Sequence, residues 1–284
     1  MGQSFYEADA AARAVFDEAS ELLGYDMKAL CFEENEKLNL TQYTQPAMVT
    51  TGIAIMKVVE KQGLLPDTAA GLSLGEYEAL YAAGALSVTD AIRVVARRGE
   101  LMEAAVPAGV GAMAAVLGAE ASLIEETLSE IPEVWIANYN CPGQIVISGK
   151  KEAVEAAAEA LKARGIKRVL MLNVSGPFHS GLLREAGEEL GKVLAETEIH
   201  PLRIPYYANV TGGIVEDAAK VRGLLTEQVY SSVRFEQSIR NMLSAGVDTF
   251  YELGPGKTLA GFVKKIDREA TVVNIETMED LAKI

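Results

Sequence analysis

Five residues, Gly71-Leu72-Ser73-Leu74-Gly75, constrain this chain more than any other stretch. They follow an apolar segment and run straight into the helical pattern Glu76-Tyr77-Glu78-Ala79-Leu80, so a strand must reverse sharply into a helix with a serine at the apex. Glycines on both sides suit such a turn, because side chains there would crowd the nucleophile. The hydroxyl then projects outward beside a helix N-terminus, whose free N–H groups can stabilise a developing oxyanion. That arrangement points to covalent acyl chemistry. A tight turn with a serine helix cap is the alternative that the pentapeptide alone leaves open.

A serine hydroxyl attacks only when a base removes its proton, so the histidines decide. There are two, His179 and His200. His179 lies in Ser175-Gly176-Pro177-Phe178-His179-Ser180, a turn-rich stretch directly after the predicted strand Val169 to Asn173. Loops at strand ends are where α/β folds assemble their sites, and a neutral imidazole there can take the Ser73 proton and return it to a thiolate. His200, between Ile199 and Pro201 at a helix exit, reads as structural. Among the arginines, Arg98 falls at the margin of the buried stripe Ile92, Val95, Ala96, Gly99 and Met102 and can reach inward, whereas Arg97 and Arg93 read as solvated. A guanidinium facing a cleft binds a carboxylate through two parallel hydrogen bonds.

Helical and strand patterns alternate along most of the 284 residues, which favours an α/β fold with a mostly parallel sheet. Helical spacing runs from Ser4, with Glu7 in capping-box register, towards Gly24; Pro46 opens a helix that ends near Gly63; Asp67 to Gly71 reads as a strand; Ser87 and Asp90 cap the helix carrying Arg98. The rhythm changes between Gly109 and Asn173. That stretch predicts strand (Ala112 to Leu117), helix (Ala121 to Glu130), strands (Val134 to Tyr139, Gln144 to Ser148), helix (Lys151 to Arg164) and strand (Arg168 to Leu172). This β-α-β-β-α-β order is the ferredoxin-like unit, so residues 109–173 are read as an inserted subdomain and residues 1–108 with 174–284 as a large hydrolase-like α/β catalytic domain. The latter resumes with a helix after His179, helices over Val221 to Val229 and Phe235 to Ser244, the strand Thr249 to Leu253, and a last amphipathic helix containing Phe262 and Val263.

Composition excludes several classes. A net charge of −14 argues against a general nucleic-acid or anionic-membrane surface. No apolar run is long enough to cross a bilayer, and the first residues do not form a signal peptide, so a cytoplasmic location is expected. Cys31 and Cys141 lack zinc-site spacing and read as reduced thiols, and no metal site is expected. The Asn209-Val210-Thr211 sequon is read as loop chemistry.

Several segments occur in a telling order: Tyr43-Thr44-Gln45-Pro46-Ala47, the elbow with Glu76-Tyr77, Arg98-Gly99 followed by Met102, and Gly111-Ala112-Met113-Ala114-Ala115-Val116. Asn138-Tyr139-Asn140-Cys141-Pro142-Gly143-Gln144, Gly176-Pro177-Phe178-His179-Ser180 and Glu252-Leu253-Gly254-Pro255-Gly256 complete the set. Together, over nearly the whole chain, they resemble the malonyl-CoA:acyl-carrier-protein transacylase family of bacterial type II fatty acid synthesis. The resemblance implies that Ser73 is the residue malonylated, that His179 is its base, and that Arg98 pairs with the free malonate carboxylate. It implies further that the backbone carbonyl of Gln228 orients the histidine in place of an aspartate and that the Leu74 N–H is one oxyanion donor. Gln45 and Asn138 match polar residues near the cleft, and Phe178 resembles the malonyl-selective form of its loop.

The implied reaction is a ping-pong transfer from malonyl-CoA to the phosphopantetheine thiol of acyl carrier protein, with no metal or redox cofactor and no nucleic-acid or membrane partner. A monomer is expected. Carrier protein is acidic in this family, so Lys150, Lys151, Lys162, Arg164, Lys167 and Arg168 are candidates for a local basic docking surface, or form an ordinary charged face. Two departures from the family pattern stand out. Leu72 replaces the histidine often found before the serine. The family also begins with a strand and a Phe-Pro-Gly-Gln-Gly-like loop whose glutamine supplies the other oxyanion contact, whereas this chain starts Met1-Gly2-Gln3-Ser4, with Gln3 before the first helix. A form impaired by lack of that loop is therefore one alternative; a discrete polyketide-type acyltransferase and a serine esterase or thioesterase are others. The esterase predicts an acidic triad member between serine and histidine and an upstream His-Gly-type loop, and neither is found.

Overall fold

The computed structural model describes residues 1–107, 109–174 and 176–284. Ala108, at the expected edge of the insert, and Ser175, in the loop before His179, lie outside the described residues.

The chain opens with α1 (Gln3–Ala8) and α2 (Ala10–Leu23) where one helix was expected. Asp9 separates them: its backbone is extended (φ −132°, ψ 133°) and its carboxylate accepts from the Ala11 N–H as the cap of α2. Ser4 is accordingly not a cap; its hydroxyl accepts from the Met278 N–H near the far end of the chain. After α3 (Met27–Phe32) comes α4 (Thr41–Lys61), which begins five residues ahead of Pro46 rather than at it. Proline removes one N–H from the ladder, and tertiary bonds hold the turn before it: the Thr41 N–H donates to the Glu103 carboxylate at 2.6 Å.

The short strand β1 (Ala69–Ala70) leads through the elbow into α5 (Gly75–Ala82), and α6 (Val88–Ala104) follows, its first turn capped by Ser87 on the Asp90 N–H. The next stretch runs β2 (Gly111–Leu117), α7 (Ala121–Ser129), β3 (Val134–Cys141), β4 (Gln144–Lys150), α8 (Lys151–Ala163), β5 (Arg168–Met171). Its four strands form one antiparallel sheet in the order β3-β4-β2-β5. Its own core includes Val116, Ile124, Ile136, Ile147 and Leu161.

The remainder comprises α9 (Arg184–Glu196), β6 (Tyr206–Tyr207), β7 (Ile214–Val215), α10 (Val221–Gln228), α11 (Phe235–Ser244), β8 (Thr249–Leu253), α12 (Thr258–Ile266), β9 (Thr271–Ile275) and α13 (Met278–Leu281). The helix with Phe262 and Val263 is thus not the last element. Instead of one mostly parallel sheet, the described residues of this part form two small ones, β1-β6-β7 and β8-β9. β1 pairs parallel with β6 and β8 parallel with β9, while β7 returns antiparallel on β6 through the Gly212-Gly213 turn. Side chains of these strands alternate between two apolar cores, as a strand's period of two requires. Ala69 and Val273 face the core of α2, α4, α6 and α9, whereas Ala70 and Val272 face α11 and α12. Among the described residues no helix is long and apolar enough to cross a membrane.

Candidate active site

Ser73 sits at φ 55°, in the left-handed region that L-residues rarely occupy, at the apex between β1 and α5. A Cβ at Gly71 would overlap the Gly75 carbonyl, so the turn requires glycine there. Gly75 is different: a Cβ on it would meet nothing within 4 Å, so crowding does not explain the second glycine. Asn209 braces the turn from outside. Its Oδ1 accepts from the Ser73 N–H and its Nδ2 donates to the Gly71 carbonyl, both at 2.6 Å. The Leu74 N–H, at the start of α5, has no hydrogen-bond partner among the described residues and remains available to an incoming oxyanion.

His179 is buried and also left-handed, at φ 56°. Its Nε2 stands 2.8 Å from Ser73 Oγ, and its Nδ1 stands 2.8 Å from the carbonyl oxygen of Gln228 at the end of α10. A carbonyl can only accept, so Nδ1 carries the proton and Nε2 presents a lone pair to the serine hydroxyl. Burial, assisted by the nearby Arg98 charge, pushes the imidazole down to about 4. At neutral pH His179 is therefore an unprotonated base, held in the productive tautomer without a carboxylate.

Arg98 projects from α6 into the same site and is 1% exposed. Its Nη1 donates to Gln45 Oε1 at 2.5 Å, and its Nη2 donates to Gln228 Oε1 and to Ser73 Oγ, both at 3.0 Å. The guanidinium carbon lies 5.8 Å from the centre of the Tyr77 ring. Its Nε has no partner, and among the described residues no carboxylate comes within ion-pair distance. Burial lowers the arginine's pKa, yet a guanidinium remains a cation in a protein. A buried cation with no carboxylate at ion-pair distance is costly, and only the partly ionised Glu76 nearby offsets it.

The neighbours behave as expected from solvated positions: Arg97 pairs with Glu100 at 2.7 Å and Arg93 with Asp90 at 3.5 Å. His200 lies apart from the site, with its ring 3.6 Å from the Glu198 carboxylate. Gln45 is brought to Arg98 from α4, and Phe178 packs on Met113, Ala137 and Val146, joining the histidine loop to the strands of the antiparallel sheet. Asn138 lies in β3, bridged through its backbone to Val233, and its side chain makes no hydrogen bond to Ser73, His179 or Arg98.

Two functional neighbours were not singled out from sequence. For Asn209 the sequence offers only a sequon in a loop. Glu76, one turn into α5, is fully buried; its Oε2 accepts from Gln228 Nε2 at 2.8 Å and from the Asn209 N–H at 3.2 Å. Burial pushes its carboxyl up to about 7. Gln228 Nε2 also donates to the Ser73 carbonyl at 2.8 Å. One glutamine thus touches the nucleophile's backbone, the arginine, the buried glutamate and, through its own carbonyl, the histidine. Of the six basic candidates on the antiparallel unit, Lys150, Lys162 and Arg164 are already paired with Glu133, Glu159 and Glu126. Among the described residues no cluster of histidine, cysteine and carboxylate side chains is placed to hold a metal ion.

The profile of the family described as "Acyl transferase domain" matches residues 1–280. A curated relative from Bacillus subtilis (strain 168), the malonyl CoA-acyl carrier protein transacylase, is 46% identical over 286 residues, covering 99% of this chain and 90% of the relative. The crystal structure of the malonyl CoA-acyl carrier protein transacylase of Clostridium perfringens is similar with a TM-score of 0.96 at 42% identity, covering all of this chain and 90% of that one. A malonyl-transacylase solved in complex with a type II PKS acyl-carrier protein gives a TM-score of 0.96 at 38% identity, covering all of this chain and 93% of that one.

Proposed function

The chain belongs to the acyl transferase domain family, and on that premise we propose a reading of its site: it transfers the malonyl group from malonyl-CoA to the phosphopantetheine thiol of acyl carrier protein in fatty acid synthesis. One observation carries the choice of substrate. The buried Arg98, free of any carboxylate, places an Nη2 donor 3.0 Å from the nucleophile, where the distal carboxylate of a malonyl group would lie and an acetyl group has no counterpart.

Ser73 Oγ attacks the thioester carbonyl while its proton passes to His179 Nε2, and the carbonyl oxygen becomes an oxyanion facing the Leu74 N–H. The tetrahedral adduct collapses, the C–S bond breaks, and the Nε2 proton goes to the CoA thiolate. In the second half the pantetheine thiol gives its proton to Nε2, its sulfur attacks the malonyl ester, and the Ser73 Oγ–C bond breaks with return of the proton to Oγ. Atoms and charges balance without a metal or redox partner. The carboxylate displaces Gln45 and Gln228 as acceptors of Arg98, which gives the buried charge a direct ion pair.

The same reading takes residues 109–173 as an inserted ferredoxin-like subdomain and residues 1–108 with 174–284 as the hydrolase-like catalytic domain. The strand order β3-β4-β2-β5 and the separate core of the antiparallel unit support it. Phe178 is read as a cleft wall selecting malonyl over bulkier groups, and Lys167 with Arg168, both exposed, as carrier-protein contacts. A monomeric, cytoplasmic enzyme completes it. A second reading, service to a polyketide carrier protein, is favoured by the relative bound to such a partner.

The test is transfer of labelled malonyl from malonyl-CoA to holo acyl carrier protein, with acetyl-CoA in parallel and fatty-acid and polyketide carriers compared. Strong malonyl preference and carrier labelling support the reading. Rapid hydrolysis of simple esters without carrier labelling would overturn it in favour of an esterase. Reversing charge at Lys167 and Arg168 is expected to raise the KM for carrier protein several-fold; an unchanged KM removes that contact surface.

A further inference from the structure

Gln228 Nε2 donates to Glu76 Oε2 at 2.8 Å, and Gln228 Oε1 accepts from Arg98 Nη2 at 3.0 Å. One fully buried amide therefore bridges a carboxyl group and a guanidinium that make no direct ion pair. Its orientation is fixed, because Nε2 faces two acceptors, Glu76 Oε2 and the Ser73 carbonyl, while Oε1 faces a donor. The two oxygens of Glu76 have different surroundings. Oε2 accepts from Gln228 Nε2 and from the Asn209 N–H, which are donors at any pH, so a proton on this carboxyl belongs on Oε1. Oε1 has no partner at hydrogen-bond geometry, and the buried Tyr206 hydroxyl, likewise without one, faces the carboxyl. A phenol can donate to a carboxylate or accept from a carboxylic acid, so the same neighbour suits either state.

Given the malonyl reading of the site, on which this rests, we propose that Glu76 is the resident counter-charge of Arg98 and takes up a proton when a malonyl carboxylate pairs with that arginine. The titratable groups facing Glu76 are Arg98 from α6, Tyr206 from β6 and Tyr77 on its own helix. Burial pushes both phenols upward, so neither ionises near neutral pH, and His179, across Ser73, stays neutral there. In the free site burial raises Glu76 to about 7 against the lowering effects of Gln228, Asn209 and Arg98, which leaves it partly ionised. A malonyl carboxylate cancels the attraction of Arg98 and adds a like charge, so two anions would face one cation out of contact with water. One proton taken from solvent onto Glu76 Oε1 removes the excess and leaves the net charge of the buried site unchanged. Gln228 meanwhile keeps its bonds to Glu76 and the Ser73 carbonyl as it yields Arg98, which holds the backbone carbonyl that orients His179. An acetyl group brings no charge and leaves Glu76 as it was. Glu76 touches no substrate; it is a positioning residue that acts through Arg98 and Gln228.

The test is isothermal titration calorimetry of the full chain carrying Ser73→Ala, which binds without transfer. Malonyl-CoA is compared with CoA, the reference for protons that the shared phosphates exchange, in buffers of different ionisation enthalpy. With Glu76 at about 7 in the free site, malonyl-CoA should take up about half a proton more than CoA at pH 7, little at about pH 6 and nearly one at about pH 8. Its Kd relative to that of CoA should rise about ten-fold over the same range. Glu76→Gln in the same background should abolish both effects. Infrared difference spectra of the Ser73→Ala protein should gain a carboxylic-acid band with malonyl-CoA and not with CoA, a readout that stands even if the Glu76 variant fails to fold. Binding of malonyl-CoA without excess uptake overturns the proposal and leaves the substrate reading intact. Uptake that persists in Glu76→Gln assigns the proton to another group, His179 foremost, and overturns it as well. Failure of malonyl-CoA to bind where CoA binds overturns the substrate reading and the proposal together.

Discussion

The two sides of the Ser73 elbow differ in how fully their polar groups are used. Towards α6 and α10, Arg98, Gln228, Asn209 and Glu76 share one hydrogen-bond network, and Gln228 alone touches five partners. Towards β8, by contrast, a Cβ placed on Gly75 meets no atom of the described residues within 4 Å. The contrast explains why two left-handed, non-glycine residues, Ser73 and His179, can stand at 2.8 Å from one another: strain of this kind costs about 1–3 kcal/mol per residue and persists only where surrounding bonds over-determine the geometry. The network side supplies that surplus. The β8 side of the elbow supplies none of these bonds.

Breaking the network side should have the largest effects. Ser73→Ala removes the nucleophile and is expected to lower malonyl transfer by about 10⁴-fold or more, read as single-turnover carrier labelling. Arg98→Ala should cost about 10²-fold in kcat/KM for malonyl-CoA while leaving the slow acetyl reaction little changed, since only the malonyl group loses a charge-assisted pair. Equal losses for both substrates would mean that Arg98 serves the serine and not the carboxylate.

The two elbow glycines set the sides against each other directly. Gly71→Ala forces a Cβ into the Gly75 carbonyl and should destabilise by about 1–3 kcal/mol or more in denaturant unfolding. Gly75→Ala meets nothing and should stabilise the isolated chain by about 0.4–1 kcal/mol. Equal destabilisation by both would show that the β8 side of the elbow is as tightly built as the network side.

Protonation sharpens the comparison further. With His179 held down to about 4, kcat/KM should stay level from neutral pH until the pH approaches 4; an acid limb near 6.5 would contradict the buried, neutral base. Its stability signature has the depressed-histidine sign: between about 6.5 and 4 the unfolded chain takes up a proton that the folded chain does not, so stability falls as pH falls through that window. Glu76 has the opposite sign. Its folded pKa of about 7 lies above the ordinary 4.5, so between those values the folded state holds the extra proton and stability falls as pH rises. Glu76→Gln should remove that slope in pH-dependent unfolding while changing turnover only a few-fold.

Much of this was legible in the sequence because it is local. The elbow, the Ser87 cap and the alternating strands of residues 109–173 are written in short-range patterns, and the observed bounds of that unit differ from the expected ones by two residues at most. Arg98 was found from its place at the edge of a helical stripe. Asn209 and Glu76 were not, because their roles arise from contacts more than 130 positions apart in sequence, Asn209 to Ser73 and Glu76 to Gln228. Pro46 misleads for the same reason: the Glu103 carboxylate that holds the turn before it lies 62 residues from its partner Thr41. β9 is not legible from sequence because its partner β8 lies before α12 in the chain, and the amphipathic pattern of that helix reads as terminal.

The most direct measurement is intact-protein mass spectrometry after brief mixing with malonyl-CoA or acetyl-CoA, with the Ser73→Ala variant alongside. A malonyl adduct that forms in preference to acetyl, is absent from the variant and disappears when holo acyl carrier protein is added is the predicted result. A folded protein that forms no adduct, or one whose adduct survives loss of Ser73, would contradict the assignment of this network to acyl transfer.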